Sequence, residues 1–229
     1  MTEFIPRVEC GTHSTDEGRL LGSNSKDKLL RSAEVLFASK GYRDVSVREI
    51  AAHAGVNSGL VGYYFRGKQA LFAEVFRTHT VPLSRELMRQ LEAITQSGGT
   101  LSVEEILKAW LVPWLQAGND PQARAIHLGI FANLSREGSE STKRALAPMH
   151  HVHKAFIETL HSCLPHLSQE TLMWRLHFVM GALVFGIIQP VALVALSGGL
   201  CDPKNMKASF DQMLPYAIAG FCAREANSQ

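Results

Sequence analysis

The chain has 229 residues, 46% of them hydrophobic and 19% charged, with 23 Lys or Arg against 21 Asp or Glu. That length allows one or two domains with a sizeable core, and the near-neutral total excludes a chain that is polycationic along its whole length. The four cysteines, Cys10, Cys163, Cys201 and Cys222, form no CxxC pair and no disulfide framework; with a polar N-terminus that carries no signal peptide, this points to the reducing cytoplasm.

Residues 1–24 are rich in Gly, Ser, Thr and charge, carry a net charge of −2, and read as a disordered arm. From Lys26 to Arg77, nine Lys or Arg stand against five acids, so this segment is +4. Leu29, Leu30, Ala33, Leu36 and Phe37 have the spacing of a first helix running up to Lys40-Gly41-Tyr42. Ser46-Val47-Arg48-Glu49 is a capping box that starts a second helix at about Val47. Val47, Ile50, Ala51 and Ala54 share one face of it, and Gly55 is a left-handed stop. Asn57 supplies an oxygen for another N-cap, and Leu60 and Val61 give the third helix its bulk. Ser58, Gly59 and Gly62 keep its outer side small enough for close approach to a partner. Two short helices joined by a glycine turn are a helix-turn-helix, whose second helix enters the major groove of DNA. Such pairs also occur in all-α cores that bind nothing; the local excess of cations favours the DNA reading.

The stretch LLRSAEVLFASKGYRDVSVREIAAHAGVNSGLVGYYFRGKQALFAEVF, within about Lys26 to Phe76, resembles the N-terminal domain of TetR/AcrR-type transcriptional repressors. The resemblance implies an all-α fold: a three-helix DNA-binding domain at 25–70, and a ligand-binding and dimerisation domain at 71–225, about nine helices in all. It implies that Ser46 and Tyr64 contact phosphates, Arg48 reaches a base edge, Lys68 holds a phosphate at the start of helix four, and Ser58, Gly59 and Leu60 form the groove-facing turn. Chemistry supports two of these roles independently. A serine N-cap sits at the positive end of a helix, and an arginine can donate two parallel bonds to guanine. Arg48 has an alternative in a salt link to Glu49 or Asp44, and one of Tyr63 and Tyr64 is expected to pack with Phe65 in the core. Gly62 occupies a place where family members often carry an aromatic or polar phosphate-contacting residue, so that anchor is either missing here or supplied by Tyr63.

Beyond Lys68 the pattern stays helical, without period-two alternation or an Asn-Gly turn. A helix to about Thr80 is expected to stop before Pro82, with another over Ser84 to Ile94 and a loop at Gln96–Thr100. Ser102-Val103-Glu104-Glu105 opens the next helix, Asp120-Pro121 one to about Arg136, and a further helix runs from near Ser141 to Cys163 with a break or kink at Pro148. Ser168 opens a long helix to about Ser197, and Asp202-Pro203 the last one.

Phe178 to Leu200 carries no charge and is long enough to cross a bilayer, the feature that would favour a membrane protein. Gln189-Pro190 in its middle and Arg175 and His177 before it favour a buried helix covered by a second subunit. The family resemblance implies a homodimer through the last two helices, about 169–197 and 203–223, reading a palindromic operator, with a pocket for a small-molecule effector between about Val103 and Phe185. Trp110, Trp114, His127, Phe131, Phe156, Trp174, His177 and Phe178 are candidates to line it, suited to a hydrophobic or amphipathic ligand, or else core residues. His150, His151 and His153 have no ligand spacing for zinc, so no metal or cofactor is expected. No GxSxG, Walker loop or HExxH recommends an enzyme.

Overall fold

The computed structural model describes residues 16–116, 126–131, 140–188 and 190–225. Among these the chain is helical, with α1 (Asp16–Lys40), α2 (Val47–Ala54), α3 (Gly59–Phe65), α4 (Lys68–Gln96), α5 (Val103–Gln116), α6 (Glu140–Cys163), α7 (Gln169–Ile188), α8 (Pro190–Leu196) and α9 (Met206–Cys222). Residues 126–131 form a further short helical segment. α1 starts inside the segment expected to be an arm; residues 1–15, Asp120-Pro121 and Arg136 lie outside the described residues.

Two apolar cores organise the molecule. Leu29, Ala33, Leu36 and Phe37 of α1 join Ile50 and Ala51 of α2, Val61 and Phe65 of α3, and Leu71, Phe72, Val75 and Phe76 of α4. The core of the DNA-binding unit therefore runs past residue 70, because the first two turns of α4 close it. The second core collects Leu83, Leu87 and Leu91 of α4, Ile106, Trp110 and Trp114 of α5, Val152, Phe156 and Leu160 of α6, and Leu172, Leu176, Val179 and Leu183 of α7. Segment 126–131 belongs to both: Leu128 is buried in the second core, Ile130 in the first, and Phe131 packs on each.

Three expected boundaries move. α4 runs through Pro82 as one helix. A proline there removes the backbone bond to Thr78 O, and the nearby hydroxyls do not replace it, since Thr78, Thr80 and Ser84 bond Val75, Phe76 and Val81 O at 2.7, 3.1 and 2.9 Å. Leu83, Leu87 and Leu91, one turn apart, then anchor the second half in the core. α6 likewise passes Pro148 without interruption. Over the stretch expected as one helix from Ser168 to Ser197, α7 runs to Ile188 and α8 from Pro190 to Leu196, and Gln189 between them lies outside the described residues. The last helix begins at Met206, not at Asp202-Pro203. Asn205 Oδ1 accepts the Ala208 N–H at 3.0 Å as its cap, while Asp202 Oδ1 accepts from Lys204 N–H at 2.9 Å in a turn.

The Ser102 and Ser168 caps form where the sequence places them, Ser168 Oγ accepting the Thr171 N–H at 3.1 Å. Ser102 and Glu105 bond each other reciprocally, Glu105 N–H to Ser102 Oγ at 3.2 Å and Ser102 N–H to Glu105 Oε2 at 3.0 Å. No helix among the described residues is long and apolar enough to cross a membrane.

Candidate nucleic-acid interface

Ser46 has extended backbone angles, and its Oγ accepts the Glu49 N–H at 3.1 Å, so α2 begins with its free N–H groups around an exposed hydroxyl. The Glu49 side chain takes a different partner from the one a capping box suggests: Lys40 Nζ donates to it at 2.5 Å, tying the end of α1 to the start of α2. That bond is the main reason the Glu49 carboxyl is held below the usual range. With Glu49 so occupied, Arg48 stands exposed and makes no ion pair among the described residues.

α2 closes as a left-handed glycine stop. Gly55 has φ 66° and ψ 36°, its N–H bonds Ala52 O at 3.1 Å, and Val56 N–H bonds Ala51 O at 3.0 Å. Val56 then packs on the core and aims the chain into α3. Asn57 Oδ1 accepts the Gly59 N–H at 2.8 Å, so it starts α3 from one residue further out than the capping position, which Ser58 holds without a side-chain bond.

α3 is short, and its two faces differ sharply. Val61 and Phe65 are buried, while Leu60 and Tyr64 are half-buried. Ser58, Gly59, Gly62 and Tyr63 face outward, Tyr63 being 78% exposed. Tyr64 is therefore the tyrosine that joins Phe65 in the core, and Tyr63 is the one placed to reach a partner. A Cβ at Gly62 would meet nothing within 4 Å, so this face is open to close approach.

Lys68, the first residue of α4, is half-buried; its Nζ sits 4.3 Å above the Tyr42 ring and 3.4 Å from Arg43 O. The cation is thereby held at the junction of the α1–α2 turn and α4. Two further exposed cations border this surface and were absent from the sequence-based site: Arg43 before α2, and Arg66 after α3. Arg66 adopts a left-handed conformation with φ 59°, its N–H bonding Gly62 O at 3.0 Å. The charge count of the segment signalled both; only the fold shows that they flank the same two helices.

The expected effector residues separate into two groups. Trp110, Trp114, His127, Phe131 and Phe156 do come together: ring centroids are 4.8 Å apart for Trp110–Phe156 and Trp114–Phe131, and 5.0 Å for His127–Phe131. Trp174, His177 and Phe178 do not join that group, although Trp174 stacks on Phe178 at 5.8 Å. Leu172, Leu176, Val179 and Leu183 take the inward face of α7, which leaves those three on the outside. A cleft of about 380 Å³ opens beside the aromatic group, lined by Thr78, His79, Pro82, Leu83, Pro113 and His127 among others. Burial holds the pKa of His127 down at about 3 and, on the neighbouring helix, that of His153 below its ordinary value. Among the described residues no three His, Cys, Asp or Glu gather as a metal site.

Residues 29–75 match the family described as "Bacterial regulatory proteins, tetR family", and residues 108–220 match "Tetracyclin repressor-like, C-terminal domain". A stretch of 48 residues is 50% identical to the probable HTH-type transcriptional regulator YttP of Bacillus subtilis, covering 21% of this chain and 23% of that protein. The HTH-type transcriptional regulator BetI of Escherichia coli is 28% identical over 95 residues, 35% of this chain and 49% of its own length. The chain thus spans about half or less of the curated relatives it matches. The fold is shared with NalD of Pseudomonas aeruginosa, described as the secondary repressor of the MexAB-OprM multidrug efflux pump, at a TM-score of 0.59 and 22% identity over 88% of this chain and 97% of NalD. It is shared equally with the fatty acid degradation regulator FadR of Bacillus halodurans, at a TM-score of 0.58 and 17% identity over 87% of this chain and 97% of FadR. With its helix-turn-helix and its C-terminal region both matched, the chain belongs to the tetR family of bacterial regulatory proteins.

Proposed function

We propose that the chain is a homodimeric repressor that binds a palindromic operator and is released by a small hydrophobic or amphipathic effector. The observation that carries the DNA half is the outer face of α3. Ser58, Gly59, Gly62 and Tyr63 lie exposed outside both cores, and Ser46 and Arg48 stand exposed at the start of α2. In this reading Ser46 and Tyr63 bond phosphates, Arg48 enters the groove, and Lys68, Arg43 and Arg66 supply flanking positive charge. Asn57 orders the turn that presents Ser58 and Gly59, while Leu60 and Tyr64 fix the helix to its core.

The dimer is supported by α7. Trp174, Phe178, Gly181 and Phe185 recur at steps of four, three and four residues, all exposed, as a seam for a second helix requires. Phe178 and Phe185 are 62% and 66% exposed, and Tyr216 of α9 is 66% exposed. Large bare apolar surfaces of this kind mark interaction sites. A membrane is the other partner such a surface suggests, but the seam is half a helix wide rather than all round, which favours a second copy. Trp174 and Phe178 thus move from effector lining to subunit contact. The effector reading rests on the aromatic group and the cleft beside it, and the repressor role on the family resemblance. Selection of bound duplexes from a random library tests the proposal: enrichment of inverted repeats supports a dimeric reader, and enrichment of no sequence at all counts against it.

A further inference from the structure

Lys68 is a cation at the positive end of a helix. α4 opens with it behind Gly67, no acid stands in the first turn, and a helix dipole disfavours an ammonium there. Two groups of the α1–α2 turn hold it in place nonetheless. Its Nζ lies 4.3 Å from the centre of the Tyr42 ring, within reach of a cation–π contact, and donates to the Arg43 carbonyl oxygen at 3.4 Å. Both of these partners are uncharged.

The ring beneath Lys68 is itself immobilised. Its centroid is 6.0 Å from that of Phe37 and 5.0 Å from that of Phe72, and those two rings meet edge to face at 5.1 Å. Phe37 and Phe72 are buried in the core of the DNA-binding unit, whereas Tyr42 is half-buried at its border. Core packing therefore fixes the plane of the ring, and the ring fixes the ammonium. A lysine side chain is otherwise long and mobile, and ordering it on a partner lowers affinity; a lysine ordered beforehand avoids that loss. An acid at position 42 would hold Lys68 too, but it would repel a phosphate approaching the cation, and the ring does not.

We propose that Tyr42 is a positioning residue of the DNA interface: through a cation–π contact its ring pre-orders Lys68 at the junction of the α1–α2 turn and α4, ready to meet a backbone phosphate. This rests on the reading above in which Lys68 supplies charge to the DNA backbone. Tyr42 itself touches no base in this role. Because a backbone contact carries no sequence information, the ring strengthens binding to any duplex alike and leaves the choice among sequences to other residues.

The test joins proton NMR of the full chain to anisotropy titrations of a selected and a scrambled duplex. In the parent, the ε-methylene protons of Lys68 are expected upfield of those of the other lysines, shifted by the Tyr42 ring current. Tyr42→Leu is expected to abolish that shift and weaken both duplexes by about three- to tenfold, while Tyr42→Phe, which keeps a ring, stays within about twofold of the parent. In a Lys68→Ala background, Tyr42→Leu should cost nothing further, because the cycle isolates the pair. A trifluorinated phenylalanine in place of Tyr42 keeps the packing and weakens only the face of the ring, so it should lose affinity relative to Tyr42→Phe even if Tyr42→Leu does not fold. Unshifted Lys68 protons in the parent, no effect of fluorination, or the same loss from Tyr42→Leu with and without Lys68 overturns the proposal. If Lys68→Ala lowers affinity and the ring variants do not, the backbone reading of Lys68 stands and the positioning role fails. If Lys68→Ala changes neither affinity nor its salt dependence, the backbone reading itself fails, whatever the NMR shows.

Discussion

Ala38 and Gly129 touch backbone to backbone across the two cores, with 2.8 Å between the Ala38 carbonyl oxygen and the place where a side chain on Gly129 would begin. Glycine in a helical segment ordinarily costs about 1 kcal/mol relative to alanine, so Gly→Ala at an open site stabilises. Here the opposing atom is backbone and cannot rotate away. Gly129→Ala is therefore expected to destabilise by about 1–3 kcal/mol, as overpacking does. Urea denaturation measures it, and a variant as stable as the parent or more so would show that the two units do not meet here.

Gly62 is the counter-case on α3: its backbone is helical, and a methyl group added there would meet nothing within 4 Å. Gly62→Ala is expected to raise stability by up to about 1 kcal/mol while lowering DNA affinity, because the added methyl stands on the face assigned to the groove. The two readouts should move in opposite directions. Affinity that rises along with stability would remove Gly62 from the interface.

Acid should loosen the regulatory core before it affects the surface carboxylates. His127, at about 3, and His153, also lowered, stay neutral when folded but take up protons near the ordinary histidine value once unfolded. Unfolding thus binds protons, so their contribution is complete above about pH 6.5 and is lost as pH falls from there toward 3, on the order of 1 kcal/mol per pH unit for one such group. Denaturation at pH 7.5 and pH 5 reads this slope. His127→Leu should flatten it, and an unchanged slope would mean that His127 titrates normally.

The local signals of this fold were legible and the long-range ones were not. Ser46, Gly55 and the Ser102–Glu105 box act within a few residues of themselves, so spacing alone revealed them. Whether Pro82 ends a helix depends on what lies beyond it, here three core leucines. In α7, Trp174, Phe178 and Phe185 are as apolar as the inward Leu172, Leu176, Val179 and Leu183, so composition does not tell which of the two faces turns out. His79 escaped notice because its partners, Glu34 and His127, come from distant elements.

The exposed seam on α7 makes oligomeric state a sharp observable. Replacing Phe178 and Phe185 by Glu places charge where a subunit contact is assigned, and it leaves the inward residues Val179 and Leu183 untouched. Sedimentation at micromolar concentration should show a dimer for the parent and a monomer for the double variant, with circular dichroism unchanged. A double variant that remains dimeric would move the interface elsewhere.

The central claim is that α2 and α3 read DNA, with Arg48 in the groove and Lys68 on the backbone. Anisotropy titrations of labelled duplexes across a salt series test it most directly, comparing a sequence selected by the protein with a scrambled one. Arg48→Ala is expected to cost about 1–3 kcal/mol on the selected sequence and little on the scrambled one, whereas Lys68→Ala should weaken both alike and reduce the salt slope by about one. Equal affinity of the parent chain for the two duplexes, with neither substitution altering it, would contradict the account.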